Sequence, residues 1–203
     1  MTAIAAPAPR TVSRLTSTPH APSRLRRVVR RAWRFAVATF ACIGFIAVVH
    51  PFVFELTPLA SGSMSPTLQG DRDGGDWVLA EKISYRFRNP RRWEIVEFHD
   101  ADGIQIMKRV VALPGETVAV RNFHLQVNGD AIDPPTGTAR VQYYPYGNLN
   151  GGRPFAAGTG YYVLGDDSID SDDSRFEGPV ELPRIRARAW LIVWPPSRMG
   201  WVR

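Results

Sequence analysis

Apolar residues dominate one long segment near the start of the chain, from Phe35 to Phe54. This run of twenty residues, FAVATFACIGFIAVVHPFVF, contains no Asp, Glu, Lys or Arg. Because a helix rises about 1.5 Å per residue, the run spans roughly 30 Å, the thickness of a bilayer core. Trp33 precedes it, where an interfacial aromatic residue is expected. The pattern predicts a transmembrane helix over residues 32–54.

Two other interpretations of this run remain open. A cleaved signal peptide is one, with Arg30-Arg31 as the pair of a twin-arginine signal. The run begins late and is long for such a segment. A buried helix of a soluble protein is the other, although such a helix rarely lacks every charged residue over this length.

Beyond residue 55 the apolar positions change to short β-branched and aromatic runs, separated mostly by Gly, Pro, Asn or Asp. No helical period persists there over three turns, and residues 134–158 are rich in turn residues. The pattern predicts a mainly β fold, an antiparallel sheet domain behind one N-terminal transmembrane helix. The predicted strands are 76–87, 94–100, 104–113, 117–129, 160–166 and 188–194.

Charge is distributed unevenly along the chain. Residues 1–34 hold eight arginines and no acidic residue, whereas the rest holds 17 basic and 19 acidic side chains. The net charge of +6 therefore belongs to the N-terminal arm, which argues against a nucleic-acid partner. The positive-inside rule places this arm in the cytoplasm and the β domain outside. We expect a disordered arm over 1–31, the span over 32–54 and one extracytoplasmic domain over 55–203.

Candidate nucleophiles and bases are few in the β domain. The only cysteine, Cys42, lies in the apolar run, so the domain has neither a disulfide nor a cysteine nucleophile. His99 and His124 fall in or near predicted strands, where a surface histidine is the ordinary interpretation. A serine would therefore need another base for its activation.

Lys108 is the candidate base. In the stretch IQIMKRV, strand alternation places Lys108 on one face with aliphatic Ile104, Ile106 and Val110. The lysine could extend its ammonium group from the sheet margin into water. Alternatively, burial could lower the pKa of its amine from about 10.4 toward 7–8, where it can act as a general base.

The acidic stretch GDDSIDSDDSR, residues 165–175, has two interpretations of its own. It could be a solvated loop. Its spacing of Asp166, Ser168, Asp170 and Asp172 also matches part of a calcium-binding loop. The glycine that such a loop requires is replaced by Ser171, and no helical pattern flanks the stretch. We expect neither a metal nor another cofactor.

Three stretches occur in order behind the apolar run: SGSMSPTL (61–68), KRVVALPGE (108–116) and GDDSIDSDDSR (165–175). They resemble the S-G-S-M-x-P-T-L, K-R-x-x-x-L-P-G-[DE] and G-D-N-R-x-x-S-x-D-S-R boxes of the type I signal peptidases, the membrane-bound Ser–Lys peptidases of bacteria. The resemblance covers about residues 25–200. It departs at Asp167-Ser168, where the family has Asn-Arg, and at Trp93-Glu94, where it has Gly-Asp.

The resemblance implies a role for each matching residue. Ser63 would be the nucleophile and Lys108 the general base. Ser61 would donate its hydroxyl to the oxyanion, beside the backbone N–H of Ser63. Three residues of the last stretch would orient the lysine and support its loop: Ser171, Asp173 and Arg175. The substrate pocket would be lined by Leu59, Met64, Leu68, Ile106 and Met107.

The same resemblance implies a signal-peptidase-type fold with a small inserted subdomain at about 121–160. The implied activity is removal of signal peptides from exported preproteins at the outer face of the cytoplasmic membrane, beside the lipid bilayer and near the secretion machinery. Small residues, chiefly Ala, would be preferred at the first and third positions before the cut. Two alternatives remain: a specialised pilin or conjugation processing peptidase of the same clan, and an inactive membrane-anchored β module that binds partners.

Overall fold

The computed structural model describes residues 24–71, 74–100, 102–134 and 141–202. The chain divides into two compact units, one up to Ile46 and one from Ala47 onward. The prediction of a disordered arm concerns in part residues 1–23, which lie outside the described residues. Residues 24–31, which that prediction includes, are helical.

Helix α1, Arg24–Val53, contains the apolar run. Its 30 residues and low charge make it long and apolar enough to cross a membrane. It begins earlier than the predicted residue 32 because arginine is a good helix former and extends the helix of the apolar run. None of its residues is buried within the chain. The predicted N-terminal apolar helix is confirmed.

A seven-stranded antiparallel sheet forms the centre of the second unit. Its main path runs β1-β2-β10-β3-β4-β9, and β11 pairs with β10. The strands are β1 (Phe54–Pro58), β2 (Trp77–Glu81), β3 (Ile95–His99), β4 (Gln105–Ala112), β9 (Tyr162–Leu164), β10 (Ile185–Trp194) and β11 (Gly200–Trp201). The predicted antiparallel β domain is confirmed.

A smaller antiparallel sheet has the order β7-β6-β5-β8. Its strands are β5 (Thr117–Arg121), β6 (His124–Val127), β7 (Asp130–Ala131) and β8 (Phe155–Ala156). It packs against the ends of β4 and β9, where Val111 and Leu164 share a buried cluster with Val118 and Leu125.

Each face of the large sheet covers its own hydrophobic cluster. Neighbouring residues of β3 show the alternation: Ile95 packs with Met107 on one face, and Val96 packs with Val110 on the other. Since both faces are covered, side chains of β3 and β4 are almost all buried.

Two predicted strands are wrong in detail. Residues 117–129 form the hairpin β5–β6 and not one strand, because Asn122 and Phe123 adopt positive φ values of 51° and 63°. Two consecutive left-handed residues make the tight turn that joins antiparallel strands. Residues 76–87 form β2 and then a single helical turn, α2 (Ser84–Phe87). The backbone N–H groups of Ile83 and Ser84 donate to the Glu81 carboxylate at the start of this turn.

A second one-turn helix, α3 (Ser174–Glu177), follows the acidic stretch. Asp173 caps it, accepting a hydrogen bond from the backbone N–H of Arg175. Three 3-10 turns complete the described elements: Gly147–Gly152, Leu182–Arg184 and Pro196–Arg198.

Candidate active site

Ser63 lies in the loop that follows β1. Two backbone hydrogen bonds close tight turns in this loop: Ser65 N–H donates to Gly62 O (2.8 Å), and Leu68 N–H donates to Met64 O (2.9 Å). Met64 and Leu68 are buried in the core and hold the loop in place. Ser63 itself remains half-buried, with its side chain facing a cleft.

Lys108 projects from the middle of β4 toward this serine. Its Nζ lies 2.8 Å from Ser63 Oγ and 3.0 Å from Ser171 Oγ. The side chain is only 3% exposed, so it does not extend into water as a lysine at a sheet margin would. Burial lowers the pKa of the Lys108 amine, against an opposing effect of Asp173 and Asp172. A neutral amine within hydrogen-bond distance can accept the proton of Ser63.

A chain of hydrogen bonds supports the lysine from behind. Ser171 Oγ donates to Asp173 Oδ2 at 2.8 Å. Arg175 donates to both oxygens of Asp173, from Nε and from Nη2, each at 2.8 Å. Both side chains of this pair are fully buried. The structure thus brings together Ser63, Lys108, Ser171, Asp173 and Arg175, and each hydrogen bond restricts the next group.

The two loops that carry Ser63 and Ser171 touch directly. The backbone N–H of Asp167 donates to the carbonyl oxygen of Ser63 at 3.0 Å. A Cβ atom on Gly165 would lie 2.2 Å from Ser171 Oγ and 2.5 Å from Ser63 O. Only glycine therefore allows the two loops to approach this closely.

A second buried ion pair was not predicted from the sequence. Arg109 lies next to Lys108 but on the opposite face of β4, and its Nε and Nη2 donate to Asp166 at 2.7 and 2.6 Å. Thr67 also donates to Asp166. The pair ties β4 to both loops of the site. The sequence places Arg109 beside Lys108, but no spacing indicates that Asp166 is its partner.

Two of the five aspartates in the acidic stretch form ion pairs with arginine. Asp166 binds Arg109 and Asp173 binds Arg175, so neither carboxylate is free for a cation. Ser168, which stands where the family pattern has Arg, accepts hydrogen bonds from Arg175 Nη1 and from the backbone N–H of Tyr144. The loop is therefore supported here without the arginine of that pattern.

Beside Ser63 and Lys108 runs a cleft of about 350 Å³. Of the five residues that the resemblance implies for its wall, Leu59, Met64, Ile106 and Met107 line it. Leu68 has no exposed surface and packs in the core behind the cleft. The cleft also has polar members, which the sequence did not indicate: Thr57, Asp100, Gln105, Asp170, Asp172 and Glu177.

Ser61 lines the same cleft, and its Oγ lies 3.3 Å from Ser63 Oγ. It is exposed and therefore free to turn toward a bound group. His99 and His124 lie outside the cleft lining. The arrangement can perform nucleophilic attack by a serine, with a buried lysine as base and a hydroxyl beside the reacting centre.

Known proteins are similar to this sequence over most of its length. The family model described as signal peptidase, peptidase S26, matches residues 32–194. The probable signal peptidase I-2 of Synechocystis sp. is 35% identical over 159 residues, which cover 75% of this chain and 68% of that protein. Signal peptidase I of Bacillus caldolyticus is 32% identical over 173 residues, or 81% of this chain and 91% of that protein.

A third relative is signal peptidase I of Mycobacterium tuberculosis. It is 31% identical over 229 aligned positions, which cover 86% of this chain and 78% of that protein. The matched region includes both the apolar helix and the β domain. The chain belongs to the signal peptidase I family, the S26 serine peptidases that remove signal peptides.

Proposed function

We propose that the chain removes signal peptides from exported preproteins at the outer face of the cytoplasmic membrane, with Ser63 as nucleophile and Lys108 as general base. One observation carries the assignment of residues: the 2.8 Å separation of Ser63 Oγ and Lys108 Nζ, with the lysine buried. The stretch SGSMSPTL matches the general signal peptidase pattern at every fixed position, which favours this role over that of a specialised pilin-processing peptidase.

The reaction follows from the positions of these groups. Lys108 Nζ takes the proton of Ser63 Oγ, and the oxygen attacks the scissile carbonyl carbon. Hydroxyl and backbone N–H donors at Ser61 and Ser63 stabilise the resulting oxyanion. The Lys108 ammonium then gives its proton to the leaving amine. Lys108 next activates a water molecule that hydrolyses the ester on Ser63.

The substrate would bind as an added strand. β9 pairs with β4 only from Arg109 onward, and β3 covers the other edge of β4. Among the described strands, none pairs with the edge of residues 105–108 that faces the cleft. An extended peptide can use those backbone groups, as in other cases of strand addition. The residues before the cut would then run from Ser63 toward Gln105.

Purified full-length protein in detergent should cleave a secretory preprotein with Ala at the first and third positions before the cut. Such small side chains fit against Leu59, Met64 and Met107 without displacing the scissile carbonyl from Ser63. N-terminal sequencing of the product would locate the cut. Cleavage after Leu or Phe at the same rate would contradict the assigned pocket.

Orientation in the membrane forms a separate prediction. The arginines before the apolar run of residues 35–54, and Glu55 after it, favour an N-terminus inside and residues from about 55 outside. Protease added to intact spheroplasts should degrade the domain that carries Ser63 and spare the arginine-rich arm. A tag at each end would distinguish the two fragments. Protection of the domain in intact spheroplasts, with digestion after lysis, would reverse the topology.

A further inference from the structure

Glu97 is buried next to residues that line the cleft and forms no salt bridge among the described residues. It lies in β3 and has no exposed surface. Thr57 Oγ1 donates to its Oε2 at 2.9 Å, whereas its Oε1 has no hydrogen-bond partner among the described residues. A buried polar atom without a partner is unfavourable, so such an atom calls for an explanation.

The neighbours of Glu97 place it at one end of the cleft. Gln105 Nε2 donates to Thr57 Oγ1 at 3.0 Å, and both residues line the cleft. This bond joins the end of β1 to the start of β4, so the two strands face each other across the cleft. The Glu97 carboxyl group lies directly behind their contact.

Strand register shows which substrate side chain would point there. Glu97 is paired with Met107, so the two share a face, and Gln105 lies on that face two residues along β4. In an extended substrate the first and third residues before the cut point the same way. When the first substrate residue before the cut lies beside Met107, the third substrate residue lies beside Gln105, about 7 Å farther along the cleft.

We propose that Glu97, with Thr57 and Gln105, makes the subsite for the third residue before the cut polar, so that Ser and Thr are preferred there to Val and also to Ala, the residue that the family resemblance implies at this position. The proposal rests on the function proposed above and deepens it. A substrate hydroxyl at this position would provide the partner that Oε1 lacks, after a small shift of the side chains above it.

Both protonation states of the Glu97 carboxyl group fit this role. Burial raises the pKa of Glu97, while the Thr57 hydrogen bond and the nearby Gln105 amide oppose the shift. Because Thr57 donates to Oε2, the proton of the neutral acid is carried by Oε1. If the carboxyl group is protonated, Oε1 donates a hydrogen bond to the substrate hydroxyl. If it is ionised, the substrate hydroxyl donates to Oε1.

The test compares substrate side chains with and without a hydroxyl group; Thr and Val are nearly equal in shape. Preproteins carry Thr or Val, and Ser or Ala, at the third position before the cut, with Ala at the first. Wild-type enzyme should show kcat/KM about threefold to tenfold higher for Thr than for Val, the range of one net hydrogen bond. In the Glu97→Leu variant, Val should equal or exceed Thr. Glu97→Gln, which keeps polar atoms there, should retain a preference for Thr.

A matched substrate pair with Thr or Val at the second position provides the control. The second side chain points to the other face, so the ratio of kcat/KM for Thr over Val at this position should be the same in wild type and Glu97→Leu. Wild-type preference for Val at the third position, or an unchanged Thr preference in folded Glu97→Leu, would overturn the proposal. If Glu97→Leu does not fold, the wild-type Thr/Val ratio decides alone. Failure to cleave even the Ala reference substrate would overturn the proposed function itself.

Discussion

Replacing Lys108 or Ser63 by alanine is expected to lower kcat for preprotein cleavage by about 10⁴-fold or more, as loss of a nucleophile or its base does in serine peptidases. The two groups lie 2.8 Å apart and act as one proton-transfer pair in the proposed mechanism, so removing either should leave the other without a function. The double variant should therefore be scarcely slower than either single variant. Rates would be measured on one preprotein under single-turnover conditions.

The pH dependence of the same reaction should show the lysine directly. Only the neutral amine can accept the Ser63 proton, and burial lowers the pKa of Lys108. The rate should therefore rise with pH and reach its plateau below about pH 10.4, the ordinary value for lysine. Lys108→Arg, which stays charged, should be as inactive as Lys108→Ala.

A His99→Ala/His124→Ala double variant is the matched control for this assignment. Both histidines lie outside the cleft lining, so their removal should leave the rate and its pH profile unchanged. A folded but inactive double variant, or an active Ser63→Ala variant, would disprove the Ser–Lys assignment.

Replacing Asp173 by alanine is expected to have the largest effect on stability. Asp173 and Arg175 are both fully buried, and the change leaves the arginine charge without its partner. Breaking such a pair typically costs about 3–5 kcal/mol. At about 2–4 °C per kcal/mol for a domain of this size, the melting temperature should fall by roughly 10 °C.

Asp173→Ala should also slow cleavage in the fraction that remains folded. Ser171 loses its acceptor, and Lys108 then loses a fixed neighbour. Lys82→Gln is the control, because the Lys82–Glu55 pair is partly exposed and such pairs contribute only about 0–1 kcal/mol. Equal melting temperatures for the two variants, measured by circular dichroism, would show that the buried pair is not important for stability.

Elements with a regular pattern could be predicted from the sequence. The apolar run predicted α1, and the alternation of residues 104–113 predicted β4 with Lys108 among aliphatic side chains. The hairpin within 117–129 could not be predicted in this way, because its turn is Asn122-Phe123 and not the usual Asn-Gly or Asp-Gly. One-turn helices such as α3 are too short to produce a helical period.

Within the candidate site, the motifs indicated Ser63, Lys108 and the three residues of the last stretch that support the lysine, but they indicated neither the Arg109–Asp166 pair nor Glu97. Asp166 fitted a calcium-loop spacing, whereas it binds Arg109, which is 57 residues away in the sequence. Glu97 looks like an ordinary surface residue of a strand. Its burial depends on pairing between β3 and both neighbouring strands, β4 and β10, which is long-range information.

The long sequence separation between Lys108 and its two serine partners has a consequence for the newly made protein. Lys108 meets Ser63 across 45 residues of sequence and Ser171 across 63. Contacts of such long range form slowly, after the intervening strands have closed. The proposed catalytic groups, Ser63 and Lys108, therefore stay apart while the chain is incomplete or partly folded. In a hydrolase built this way, proteolytic competence arises only with the finished fold, and neighbouring proteins are not cleaved by the chain during its synthesis.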